Sequence, residues 1–149
     1  MDISALPDAR FLNSLNLGHT RIADISPLGE CMELDSIILF DSGISDCTVL
    51  ENCPRLSRLD IGQTPIASFS EIGIIPQLEE LNLNWMHMDN LNGIEQMPKI
   101  ERLWLGDAEI GDMSALLLLP KLKEVYTDES NRAALTELFA GRDVEIIVE

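Results

Sequence analysis

An aliphatic residue returns every 22 positions along this chain, at Leu12, Leu34, Leu56, Leu78, Ile100 and Leu122, and each opens the same short run of apolar spacing. A strict period of this length means one supersecondary unit stacked on itself, because so short a unit cannot bury its apolar side alone. The expected fold is therefore a solenoid, and its expected working part is the surface that the stacked units share. Within each unit the pairs Leu15/Leu17, Ile37/Leu39, Leu59/Ile61, Leu81/Leu83 and Leu103/Leu105 alternate with other residues at period two, the signature of a strand with one buried face. Pro54, Pro76, Pro98 and Pro120 stop any helix just before the next strand, so the return limb is predicted as turns or single 3₁₀ windings. Asp24, Asp46 and Asp112 stand where those turns begin and read as caps.

Written out, the unit from Leu56 to Gln77 follows L-x-x-L-x-L-x-x-T-x-I. Together with the I-x-D-I-x-x-L tail at Ile22, Asp24, Ile25 and Leu28, it resembles a leucine-rich repeat of the short bacterial, internalin-like subclass over about residues 1–130. The resemblance implies an α/β solenoid with a parallel sheet on the concave face, short turns or 3₁₀ windings on the convex side and a C-terminal helix-strand cap. One departure matters. The family commonly places Asn at the ninth repeat position, where this chain has Thr20, Ser42, Thr64, Met86 and Ala108. Hydroxyls do part of an amide's hydrogen bonding, but Met86 and Ala108 do none, so the ladder is expected to be interrupted in the fourth and fifth repeats. The backbone groups there must find water or each other.

The organisation reads as a single domain over 1–149: a partial first repeat at 1–11, five repeats at 12–121, and a last strand with its cap at 122–149. In the cap we expect a strand at 124–127, then a helix near 130–140 with Ser130 as N-cap and an apolar stripe of Ala134, Leu135, Leu138 and Phe139. Gly141 closes the helix, and Val144, Ile146 and Val148 form a final strand. At the other end, residues 1–6 align with 23–28, so the sequence begins halfway through a repeat. The edge at 11–17 lacks comparable cover and is expected to meet upstream sequence, another protein or a second copy of the chain. Any export address would lie upstream. Cys31 and Cys53 share the register of Ile75, Met97 and Leu119, while Cys47 shares that of Ile25, Phe69, Leu91 and Met113. All three cysteines read as core fillers, which favours a reducing, cytoplasmic setting; a cell-surface or secreted setting is the alternative if upstream sequence is missing.

Lys and Arg total 10 against 26 Asp and Glu, a formal net charge of −16. That balance disfavours nucleic acid and anionic membrane as ligands and favours a basic protein surface. No stretch is apolar enough to span a bilayer. His19 and His87 fall in different repeat columns, no metal-ligand spacing or phosphate loop occurs, and no cofactor or catalytic activity is expected. Carboxylates on an open sheet are expected to be solvated, with little to raise a pKa.

If the strand leucines point inward, repeat positions two, three, five, seven and eight point out. Position five then holds Asn16, Ile38, Asp60, Asn82, Trp104 and Tyr126, position seven includes Phe40, and position eight includes Trp85 and Asp107. Both tryptophans and the only tyrosine fall here, with Trp85, Trp104 and Tyr126 expected to form one patch across neighbouring strands. The candidate partner-binding set is Ile38, Phe40, Asp60, Glu80, Asn82, Trp85, Trp104, Asp107 and Tyr126. Two roles fit the aromatic rings: anchors for a partner, or mutual packing that shields the sheet. Correspondingly, the chain reads as a protein-interaction module, in its sharper form an acidic inhibitor or immunity-type protein of a cationic toxin or nuclease. The alternative is a structural spacer within a larger surface protein.

Overall fold

The structure, a computed structural model, describes Ile3 and residues 11–149. The strands are β1 (Ser14–Asn16), β2 (Ser36–Ile38), β3 (Arg58–Asp60), β4 (Glu80–Asn82), β5 (His87–Asn90), β6 (Arg102–Trp104), β7 (Glu109–Asp112), β8 (Glu124–Thr127) and β9 (Glu145–Val148). Among the described residues two helices accompany them, α1 (Phe69–Ile72) and α2 (Glu129–Leu138). Among the described residues, seven strands form one parallel sheet in the order β1-β2-β3-β4-β6-β8-β9. The return limbs are 3₁₀ windings at Ser26–Glu30, Thr48–Asn52, Ile94–Gln96 and Ser114–Leu118, with the single turn of α1 in the third repeat. This is the expected α/β solenoid.

The register converts the 22-residue period into columns. Leu15, Ile37, Leu59, Leu81, Leu103 and Val125 are successive partners across the sheet. Two positions on, Leu39, Ile61, Leu83 and Leu105 are wholly buried, as are Leu34, Leu56, Leu78 and Ile100 at the head of each repeat. One continuous apolar core therefore runs the length of the stack. Cys31, Cys47 and Cys53 lie in it, and burial pushes the Cys47 thiol up to about 12 and that of Cys53 up to about 11. These cysteines act as small hydrophobic fillers.

The ninth-position departure has a structural answer. Thr20 and Thr64 donate their hydroxyls to the carbonyls of Leu17 and Ile61, at 2.6 and 2.7 Å. In the repeats with Met86 and Ala108 the corresponding carbonyls, of Leu83 and Leu105, accept the backbone N–H of Met86 and Ala108 themselves, each at 3.2 Å. The same two repeats carry the second sheet, β5 paired parallel with β7. Backbone groups that lose a side-chain partner thus find each other, one of the two outcomes the sequence allows. Ser42 is intermediate: its hydroxyl is buried and lacks a partner among the described residues.

Turns begin as expected. Asp24, Asp46 and Asp112 accept the N–H two residues on, from Ser26, Thr48 and Ser114, each at 2.8 Å. At the C-terminus β8 is followed by α2 and by β9, which joins the sheet beside β8. The N-cap is Asp128 rather than Ser130, because its carboxylate accepts the Ser130 N–H at 3.0 Å and the helix starts one residue earlier. Leu135 and Phe139 supply the buried stripe; Ala134, expected within it, is exposed. Asn131 ties the helix to the fifth repeat by donating its amide to the Ala108 carbonyl at 2.8 Å. Of the half-repeat at 1–6 only Ile3 is among the described residues, and it is buried in the core; the rest of that half-repeat lies outside them.

Core and orphan-hydroxyl positions give opposite expectations in denaturant unfolding. Leu81→Ala, at a wholly buried position, is expected to cost about 3 kcal/mol. Ser42→Ala removes a buried hydroxyl that bonds nothing among the described residues, and the fifth repeat already has alanine in that column, so stability is expected to hold or rise. A loss for Ser42→Ala comparable to that of Leu81→Ala would refute the assignment of that hydroxyl.

Candidate functional site

Alternation along each strand sends positions three and five to the face opposite the core. The position-five column runs Asn16, Ile38, Asp60, Asn82, Trp104, Tyr126 and Ile147 in unbroken register. Position three runs Ser14, Ser36, Arg58, Glu80, Arg102, Glu124 and Glu145 beside it. Neighbouring strands lie about 4.8 Å apart, so successive side chains of each column are close neighbours.

Position eight differs from the sequence reading. His19, Asp41, Gln63, Trp85 and Asp107 are not strand residues; all have φ between 51° and 57°, in the left-handed region. The N–H of His19, Asp41, Gln63 and Trp85 still donates to the neighbouring repeat, as in Trp85 to the Gly106 carbonyl at 2.9 Å, and the chain then turns away. The column is a corner at the strand end. Asp107 sits in this corner, exposed, rather than on the sheet itself. Left-handed backbone is costly for a bulky side chain, so Trp85 at φ 57° is held there by its repeat rather than by its own preference.

The aromatic groups consequently form two sets, where one patch was expected. Trp104 stacks on Tyr126, with ring centroids 4.8 Å apart and planes 8° from parallel. Trp85 packs edge-on against Phe40 at 5.4 Å, and Phe40 against His19 at 5.1 Å. Phe40 and Trp85 belong to repeats separated by a whole unit. The ring of Phe40 reaches across Gly62, where a Cβ would lie 3.0 Å from Phe40 Cδ2 and 2.9 Å from the Asn84 carbonyl oxygen, so the absent side chain makes the contact possible. Trp85 remains 44 % exposed.

Charges on the face are largely paired. Arg102 bridges Glu80 at 2.5 Å and Glu124 at 3.0 Å, Lys123 holds Glu101 at 2.7 Å, and Arg58 pairs with Asp35. The phenol of Tyr126 donates to Glu124 at 2.9 Å. Glu80, expected as a free acid for a partner, is thus already neutralised by Arg102.

Asp60 is an unpaired acid of the face that is also half-buried. Among the described residues no cation lies within ion-pair distance of it; its oxygens accept only the Gly62 N–H at 3.0 Å and the Asn82 amide at 3.3 Å. Burial among Ile38, Asn82 and the other residues of the face raises its pKa from the ordinary 3.8, opposed by the Gly62 hydrogen bond. Sequence reasoning missed this, expecting carboxylates on an open sheet to be solvated. Asp60 forms part of the lining of a shallow depression of about 210 Å³, with Ser36, Ile38, Arg58, Glu80, Asn82 and Trp104 around it. Among the described residues no group of three or more His, Cys, Asp or Glu could hold a metal ion, and no helix is long and apolar enough to cross a membrane.

The sign of the Asp60 shift fixes a pH dependence. A carboxyl whose folded pKa lies above its unfolded one weakens folding as pH rises through that window, and the loss persists at neutrality. The aspartates with lowered values, such as Asp35 with its Ser57 and Arg58 hydrogen bonds, act oppositely: their contribution is present above 3.8 and lost as pH falls through their folded values. Asp60→Asn is therefore expected to raise the thermal midpoint at pH 7 and to lose that advantage below pH 3.8. Thermal unfolding monitored across pH tests this, and a lowered midpoint at pH 7 would contradict it.

No family model matches the chain, and no curated protein does. Solved structures do. An internalin (inlF) of Listeria monocytogenes superposes with TM-score 0.78 at 24 % identity, over 98 % of this chain and 44 % of that one. Internalin C2 of the same organism gives 0.75 at 23 %, over 85 % of this chain and 56 % of that one. A structure of an LRIM1/APL1C complex gives 0.63 at 20 %, over 87 % of this chain and 26 % of that one. The chain thus spans little more than half of these structures, or less. Period, register and likeness together give it the leucine-rich-repeat fold of the internalin type.

Proposed function

We propose that this chain is a non-catalytic protein-interaction module that holds a partner with a basic surface on the outer face of its parallel sheet. The observation that carries this reading is the stacked Trp104–Tyr126 pair. The two rings stand on the side of the sheet away from the core, on rigid strands, in the same row as the exposed Ile38 and separated from it by Asp60 and Asn82. Large aromatic side chains in such a place bury nothing within the solenoid, yet they are the groups that dominate binding energy between proteins. The Phe40–Trp85 pair adds a second aromatic contact at the strand ends.

Charge supports the choice of partner. A net charge of −16 attracts a basic surface from a distance and sets encounter rate and orientation, while the rings set residence time. The solved LRIM1/APL1C assembly has the same fold in a complex, which favours a protein as ligand. Coverage of a cationic groove on a toxin or nuclease is the sharper form of this proposal. A second copy of the chain docked on the β1 edge is a separate way to assemble.

Trp104→Ala is expected to weaken capture of the partner from the native source by at least about tenfold, with little change in the thermal midpoint. Met32→Ser, on an exposed residue of the return limb, is expected to leave capture intact. Association should also slow as ionic strength rises, since a Debye length of about 8 Å at physiological salt screens the long-range attraction. Undiminished capture by Trp104→Ala overturns the proposal. Unfolding of that variant, with Trp85→Ala likewise unfolded, would instead assign the rings to shielding the sheet and leave the solenoid as a spacer.

A further inference from the structure

The depression around Asp60 has the dimensions and chemistry of a seat for one side chain. Its volume of about 210 Å³ falls below the roughly 300–1,000 Å³ of small-molecule sites. Ile38, Asp60, Asn82 and Trp104 cross it in register on β2, β3, β4 and β6, so an aliphatic wall and an indole stand on either side of a carboxylate and an amide. Both nearby arginines are engaged elsewhere, Arg58 with Asp35 and Arg102 with Glu80 and Glu124. Asp60 receives one neutral donor on each oxygen, from Gly62 and from Asn82. A carboxylate offers about four acceptor sites, so about two remain open toward the depression. Burial without a counter-ion, which raises the Asp60 pKa, leaves this acid short of a positive charge.

Resting on the reading of the sheet face as the binding surface, we propose that this depression receives a single arginine side chain of the protein partner, with Asp60 as its counter-charge and Trp104 and Ile38 as its apolar walls. Guanidinium fits better than ammonium for three reasons. It donates two parallel hydrogen bonds to one carboxylate, it lies flat against an indole, and it is more weakly hydrated and so cheaper to bring into a half-buried site. The acids around the rim steer the approaching cation, but of the two acids that line the depression Glu80 is held by Arg102 and Asp60 has no cation to displace.

The test uses a short probe, acetyl-Gly-Gly-Arg-Gly-Gly-amide, titrated into the full chain and followed by NMR at the Gly62 amide, which bonds Asp60, and at the Trp104 indole N–H. Both signals are expected to shift saturably. The citrulline counterpart, neutral but of the same shape, is expected to bind at least tenfold more weakly, and Asp60→Asn to weaken the arginine probe by a similar factor. Glu79→Gln, at an exposed acid outside the depression, should change little. Equal binding of arginine and citrulline probes overturns the proposal, as does equal weakening by Asp60→Asn and Glu79→Gln, which would mean general attraction to an acidic surface. Against the natural partner, loss with Trp104→Ala but not with Asp60→Asn would overturn the arginine seat alone; loss with neither removes the sheet face as the binding surface as well.

Discussion

Each rung of this structure has an aliphatic edge that it cannot bury by itself, and the contact between successive rungs is what every other feature depends on. Leu59 is covered only because Ile37 and Leu81 stand in register on either side of it. The constraint is strict, since slipping one strand by one residue would turn its leucine toward solvent and its neighbour toward the core. A sequence that satisfies it for six turns has little freedom at the inward positions, and spends its variety on the outward ones. Columns in the sequence thereby become rows on the surface, which is why the outward face can be read from spacing at all.

The corner after each strand shows how the repeat overrides local preference. Position eight is left-handed in all five described repeats that have it, whether it holds His19, Asp41, Gln63, Trp85 or Asp107. Aspartate tolerates that conformation; tryptophan does not favour it. The N–H of Trp85 is fixed in the ladder to Gly106, and the return limb must leave at the same point in each rung, so the backbone angle is set by the stack. The indole is then thrown outward over the strand ends. There it meets a phenylalanine from two repeats away, across a glycine, and the strain is kept at a surface position where an exposed ring has no packing role inside the core.

How much of this was legible in the sequence follows from which interactions are periodic. The strands of the seven-stranded sheet, the buried cysteines and the aspartates that open the turns follow from residue type at a fixed repeat position, and the strand-helix-strand end from its own apolar stripe; the second sheet, β5 with β7, was not expected. The backbone answer to Met86 and Ala108 was legible as one of two outcomes. What was not legible depends on neighbours in three dimensions. Spacing alone could not show that Phe40 would pass over Gly62, because that contact skips a repeat. Nor could it show that Arg102 would hold two glutamates at once, since a charged column says nothing of how long side chains choose among partners on either side. Asp128 displaced Ser130 as the cap because the helix starts at Glu129, directly after the strand, where the Asp128 carboxylate takes the Ser130 N–H. The burial of Asp60 was hidden for a related reason: an open sheet looks solvated until the bulk of its own outward side chains is counted.

That last point changes what the acidic character of the chain means. The net charge of −16 is a property of the whole surface, and it acts at a distance through the sum of many carboxylates. At contact range most acids of the sheet face are already occupied, by Arg58, Arg102 or Lys123, and a partner's cation could use them only by displacing a bond of comparable worth. Exposed pairs of this sort contribute little to stability, so their main effect is to fix where charge is and is not available. Pairing therefore sharpens the face. A broadly negative surface would attract any basic protein in any orientation, whereas on the proposed reading a face with many of its charges cancelled leaves the stacked rings and one half-buried carboxylate without a counter-ion to distinguish one docking geometry from the rest.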